Sequence, residues 1–393
     1  MRRAEARDLT RATASAARGL AGVVEATHIG TLDVVYGRLR RFIGPAVTPV
    51  YDVHRVIATT SFGGVRAGLY AAGLIGELVV SAGPSETCDA STDPESILQQ
   101  RDRGFALGVI NGVAGDRLER DHSSIALPTT LRQHGRDVPL TTEALLAAYG
   151  PGHRRLVVFL HGLVETELSW RFRARQRWAD PQVSYGSLLE RDEGWLPLYL
   201  RYNSGAAITT SAERFNDLMD TLVVAWPEPI DELAIVGHSM GGLVAMTALS
   251  HDDRPWMRLV RAVVTLGSPR DGAPLERTAA VIEELTERTG WARWFGGLIG
   301  VRSGGIRDMH DPVTHPPMPD RIDEYAVLAT LTPGSWHSGV PRIGDGLVPI
   351  PEVHHCETAV VHGLHHLDLL NHPQVYPLLR GWLPERRVLW PTA

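Results

Sequence analysis

Leu233-Ala234-Ile235-Val236-Gly237-His238-Ser239-Met240-Gly241-Gly242-Leu243-Val244-Ala245-Met246-Thr247-Ala248-Leu249 decides how the rest of the chain is read. Its first four residues form a short apolar run between polar neighbours, the mark of a buried strand. Its last eight read as a helix. Between them stands G-x-S-x-G, the nucleophile elbow, a strained turn that lifts a serine hydroxyl above the edge of a sheet. The glycines fit because strand and helix approach each other so closely there that a side chain would clash. In a chain with 39 glycines the string alone carries little, so the strand before it and the helix after it carry the reading. Ser239 is therefore the candidate nucleophile.

Around this turn, strand and helix patterns alternate from Arg154 onward, which predicts a mostly parallel, doubly wound α/β sheet with helices on both faces. The strands read are Arg155–Leu160, Leu196–Tyr202, Leu233–Val236, Ala262–Leu266, Tyr325–Leu331 and Thr358–His362. Helices are read near Tyr185–Glu190, Ser211–Val224, Met240–Ser250, Leu275–Arg288 and Leu367–Trp382. Sites in such sheets lie at the carboxyl ends of the strands.

A serine hydroxyl needs a base, an acid to orient that base, and N–H donors for the oxyanion. On this architecture the chain order is Ser, acid, His. The base is expected after the last strand, where Gly363-Leu364-His365-His366-Leu367-Asp368 follows. His366, at a helix start before an apolar pair, is the first candidate and His365 its close rival. The acid is expected after the strand Tyr325–Leu331. Asp345, between two glycines and just ahead of an apolar stretch, fits best; Asp271 in Ser268-Pro269-Arg270-Asp271-Gly272 competes. A turn aspartate bonding its own backbone is the plain alternative for either. The oxyanion donors are read as the N–H groups of Met240 and of Leu163, the latter following the apolar strand that ends in His161-Gly162. His161 itself reads as a loop anchor.

These stretches together resemble the α/β-hydrolase superfamily, in its lipase/esterase branch. Phe159-Leu160-His161-Gly162-Leu163, Gly237-His238-Ser239-Met240-Gly241-Gly242, Leu266-Gly267-Ser268-Pro269 with Gly272-Ala273-Pro274-Leu275, Gly344-Asp345-Gly346-Leu347-Val348-Pro349 and His366-Leu367-Asp368-Leu369-Leu370 occur in the order of that branch, which includes inositol-deacylase-like lipases. The likeness spans about residues 154–383. It implies an eight-stranded or slightly reduced sheet, no cofactor, and ester hydrolysis through an acyl-enzyme. The preceding residues look like the N-terminal extension of some actinobacterial esterase/lipase-like proteins.

Three segments follow: a largely helical N-terminal extension over 1–82, a linker and accessory segment over 83–150, and a catalytic domain over 151–393. Within the last, an insertion over 270–323 carries Trp291, Trp294 and Phe295 on one helical face and several glycines. It reads either as a lid over the serine or as an aromatic face packed on the sheet or on the N-terminal segment. The first 80 residues hold ten arginines against six acids, and Phe62 to Val80 is their most apolar part. A packed helical hairpin explains this, and so does peripheral contact with an acidic membrane surface.

The composition sets further bounds. A net charge of −6 gives no reason to expect nucleic acid. All 39 basic residues are arginine, which excludes Schiff bases and Ser–Lys dyads. Cys88 and Cys356 make no metal-type spacing, and the scattered His354, His355, His362, His365 and His366 lack a compact ligand pattern, so no metal is expected. Arg66 and Glu77 interrupt the best candidate span, so a cytoplasmic protein is expected, with membrane association as the variant. The substrate is expected to be an apolar or lipid-like ester. An acyltransferase or thioesterase would share this chemistry, and a non-catalytic binding protein would share the fold; acyl chain, alcohol and oligomeric state are not readable.

Overall fold

Arg155–Leu160 (β3) and Glu232–His238 (β5) are continuous apolar runs because each lies inside a parallel sheet, buried on both faces. The computed structural model describes residues 104–250, 254–270, 318–332, 344–346, 348 and 356–384, with isolated positions between 7 and 61 and at 305 and 308. Among them the sheet has eight strands in the order β2-β1-β4-β3-β5-β6-β7-β8. The remaining strands are Thr130–Gln133 (β1), Arg136–Val138 (β2), Leu196–Arg201 (β4), Val260–Leu266 (β6), Asp323–Thr330 (β7) and Glu357–His362 (β8). From β4 to β8 all neighbours are parallel, while β1 runs antiparallel to both β2 and β4.

The six strands expected from the pattern are all present, with ends moved by one or two residues. Thr130–Gln133 and Arg136–Val138, within the expected linker and accessory segment over 83–150, pair onto the edge of the sheet, which therefore begins before residue 151. Their charge hid this: Arg132 is buried on β1 because Glu167 Oε1 accepts from its Nε at 3.0 Å and Asp137 pairs with its Nη1. The single helix expected over 367–382 is instead a 3₁₀ turn, His366–Leu370, and a short helix, Tyr376–Trp382 (α7). Pro373 disfavours helix at His372, and Asn371 turns its amide to the Val183 carbonyl at 2.9 Å and accepts from the Trp178 indole at 3.1 Å.

Helices cover the sheet in groups. Tyr185–Glu193 (α4) packs on β4 and α7 on α4, while Ile208–Ala225 (α5) packs on Met240–Ser250 (α6), which lies on β3, β5 and β6. Every residue of α6 from Met240 to Leu249 is buried, which is why it is apolar all round rather than striped. Gly104–Arg120 (α1) makes a close approach through glycine: a Cβ on Gly112 would lie 2.6 Å from the Val164 nitrogen.

The chain divides into two compact units. One comprises Met1–Ile97, His122–Ile125 and Ala279–Arg302; the sheet belongs to the other. In the first, the described positions between 7 and 61 are helical, and Asp8 Oδ2 accepts from both the Ser124 N–H (2.6 Å) and its hydroxyl (2.7 Å). No helix among the described residues is long and apolar enough to cross a membrane. Most of 1–82 and almost all of the expected lid over 270–323, its aromatics included, lie outside the described residues. Of the glycines read there as flexible, Gly305 is described, and its N–H bonds the Gly205 carbonyl at 3.2 Å.

Candidate active site

Parallel register brings the ends of β3, β5, β6, β7 and β8 to one edge, and each candidate residue follows one of these ends. Ser239, directly after β5, has φ +51, a left-handed conformation that costs a side-chain-bearing residue on the order of 1–3 kcal/mol. The surroundings enforce it. The Ser239 N–H bonds the Leu266 carbonyl at 2.8 Å, and its own carbonyl accepts from the Ser268 hydroxyl at 2.8 Å and the Gly242 N–H at 3.1 Å. A Cβ on Gly241 would run into the carbonyl oxygens of Leu160 and His161. Gly241→Ala is therefore expected to destabilise the protein by about 3 kcal/mol, since two backbone carbonyls must shift. Thermal melting checks it, and an unchanged Tm would contradict the close approach.

The loop after β3 carries a second strained residue. Val164 has φ +58, an unusual conformation for a β-branched residue, and its N–H bonds Ser204 Oγ at 3.1 Å. Opposite, Gly162 faces Ser239, for a Cβ there would sit 3.1 Å from Ser239 Cβ. Leu163 and Met240, the two residues read as oxyanion donors, are both buried. His161 is a loop anchor in its contacts. Its Nε2 accepts the Tyr202 N–H at 3.3 Å, the Tyr202 hydroxyl donates to its carbonyl at 2.6 Å, and the rings stack at 4.3 Å. Burial lowers its pKa, which suits a neutral ring accepting at Nε2.

Asp345 and His366 meet. His366 Nδ1 lies 2.7 Å from Asp345 Oδ2, and both side chains are buried. Asp345 is held in turn: its Oδ1 accepts the Val348 N–H at 2.8 Å, and its carbonyl accepts the His366 N–H at 3.0 Å. With Nδ1–H given to the carboxylate, Nε2 keeps its lone pair. His366 also packs against the turn after β6, where a Cβ on Gly267 would lie 3.1 Å from its Nδ1 and Cε1. His365 is engaged elsewhere: its Nε2 lies 3.0 Å from Asp368 Oδ2, and that carboxylate also pairs with Arg173 and Arg177. Asp271, the alternative acid, lies outside the described residues. His365→Ala is expected to keep most of the activity and His366→Ala to lose nearly all; steady-state kinetics on both would reverse the assignment if the order were inverted.

Two buried residues beside this group were not singled out in the sequence. Glu165 Oε1 lies 2.9 Å from His238 Nδ1, and Glu165 Oε2 accepts the Gly162 N–H at 2.7 Å. His238 Nε2 lies 3.2 Å from the His366 carbonyl, with the two rings 4.8 Å apart. Burial alone would lower the His238 pKa, but the Glu165 carboxylate outweighs it and the net shift is upward. For Glu165 burial acts upward and His238 downward, with a net lowering. No local pattern announces this pair, since its members stand on different strand ends.

A mostly parallel sheet with a strained serine after its central strand, and an Asp–His pair delivered in that order after its last two strands, fits the nucleophile-elbow architecture. The chain carries the α/β-hydrolase fold. Within it, residues 202–294 match the family model described as a PGAP1-like alpha/beta domain, which includes the elbow of this α/β-hydrolase fold. No curated protein matches the chain. Among solved structures, the mature Bacillus licheniformis lipase BlEst2 is 16% identical, covering 60% of this chain and 94% of that one at a TM-score of 0.40. A Pyrococcus furiosus esterase, Pf2001, is 18% identical over 58% of this chain and 79% of its own, at 0.33. The RedJ thioesterase of the prodiginine pathway in Streptomyces coelicolor is 18% identical over 59% and 90%, at 0.37. Among the described residues, no three His, Cys, Asp or Glu side chains come together as a metal site.

Proposed function

We propose that the protein is a serine hydrolase that cleaves carboxylic esters through an acyl-enzyme on Ser239. The observation that carries this reading is the buried 2.7 Å contact between His366 Nδ1 and Asp345 Oδ2 on the loops that flank the Ser239 elbow. Without Ser239 as its object, a carboxylate orienting a buried imidazole there has no evident purpose.

In the reaction, Ser239 Oγ attacks the ester carbonyl while its proton passes to His366 Nε2, and Asp345 stabilises the imidazolium that forms. The N–H groups of Met240 and Leu163 receive the oxyanion; removing one such donor costs about 10²–10³ in kcat. His366 then protonates the departing alcohol, leaving Ser239 acylated. A water, deprotonated by the same Nε2, attacks the acyl group and releases the acid with Ser239 restored. No cofactor enters either half of the cycle. Leu163 and Met240, both apolar and buried, suit an apolar acyl group.

A series of p-nitrophenyl esters from acetate to palmitate tests the reading. Turnover of some members at neutral to mildly alkaline pH is expected, with the optimum chain length reporting the acyl pocket. Failure to turn over any member would sink it.

A further inference from the structure

Both ring nitrogens of His238 lie close to oxygens. Its Nδ1 lies 2.9 Å from the Glu165 carboxylate and its Nε2 lies 3.2 Å from the backbone carbonyl of His366. A neutral imidazole beside an ionised carboxylate would turn a lone pair toward one of these oxygens, whereas a doubly protonated ring offers an N–H to each. The carboxylate is likewise committed, for its second oxygen takes the Gly162 N–H at 2.7 Å. We propose that Glu165 and His238 form a charged, buried pair that positions the two halves of the active site. The proposal rests on the reading of Ser239, Asp345 and His366 given above.

Each contact of the pair ends on a different working part. Through Gly162 the carboxylate pins the loop that supplies the Leu163 N–H. Through the His366 carbonyl the imidazolium pins the turn that bears the base, and His238 itself adjoins the nucleophile. Among the described residues, the charged and titratable neighbours include Glu165 on one side, His366 and Asp345 on the other, and His161 beyond the carboxylate. The remaining ring contact is the edge of Trp170 at 6.4 Å. His238 and Glu165 are therefore positioning residues, linking the oxyanion loop to the base across the elbow. The upward shift of the imidazole accords with the geometry: its charged form persists until pH rises through the raised value.

Full-chain protein with ¹⁵N-labelled histidine tests this, the His238 signals being assigned by their loss in His238→Asn. At pH 8 both His238 ring nitrogens are expected in the imidazolium range. In Glu165→Gln one should revert to neutral, and the alkaline fall of kcat should move to lower pH by about one to three units with KM little changed. A singly protonated His238 in the native chain overturns the proposal, even if the variant fails to fold. So does a Glu165→Gln enzyme whose rate drops equally at every pH. A Ser239→Ala enzyme that still hydrolyses ester would instead overturn the proposed function and leave the His238 spectrum to be judged alone.

Discussion

Ser239→Ala is expected to lower kcat for ester hydrolysis by about a millionfold, to the rate that binding and the oxyanion donors alone provide. The loss is this large because the nucleophile, base and acid act as one unit, so removing the serine idles His366 and Asp345 as well. The fold should barely notice. Ser239 is locked through its backbone, by Leu266, Ser268 and Gly242, and alanine keeps those bonds at the same φ of +51. A Tm within a few degrees of wild type would therefore accompany the loss. Residual activity above about a hundredth of wild type would mean that another residue is the nucleophile.

Asp345→Asn should cost about 10⁴ in kcat without unfolding the site. Asn is isosteric, and the carboxylate oxygen that accepts the Val348 N–H at 2.8 Å has its counterpart in the amide carbonyl. With the carbonyl held there, the amide NH₂ turns to His366 Nδ1, which lies 2.7 Å from Oδ2 in the native site. Nδ1 must then accept, and the ring proton moves to Nε2, where it blocks proton transfer from Ser239. Steady-state kinetics at neutral pH measures this; a loss below tenfold would show that Asp345 is a turn aspartate and not the orienting acid.

Much of this site was legible in the chain, for a physical reason. Buried parallel strands must be apolar throughout, so Leu156–Leu160 and Leu233–Val236 stand out, and the residues after them follow in a fixed order. Ser239, Asp345 and His366 were read from that order, and the latter two meet in the structure. The sequence favours His366 over His365 for its place at a helix start; in the structure Asp368, whose Arg173 and Arg177 partners lie nearly 200 positions earlier, draws His365 aside. Such distant pairing leaves no local mark.

The same holds for what the sequence concealed. Arg132 on β1 looks like a surface residue until Glu167 and Asp137 are folded against it. Val164 reads as an ordinary apolar residue, because its strain comes from Ser204 and from the glycine face of α1, neither of which adjoins it in the chain. Glu165 follows one motif and His238 fills an unspecified position of another, and only the approach of β3 and β5 makes them a pair. The insertion after β6 and the N-terminal extension keep their sequence readings alone.

A fluorophosphonate probe followed by peptide mapping bears on the serine mechanism at a single atom. Incubated with the folded full-length chain, it should leave one adduct, on the peptide containing Gly237-His238-Ser239-Met240-Gly241, and none after His366→Ala. Absence of any adduct between neutral and mildly alkaline pH, or an adduct on another serine, would contradict the assignment of Ser239 as nucleophile.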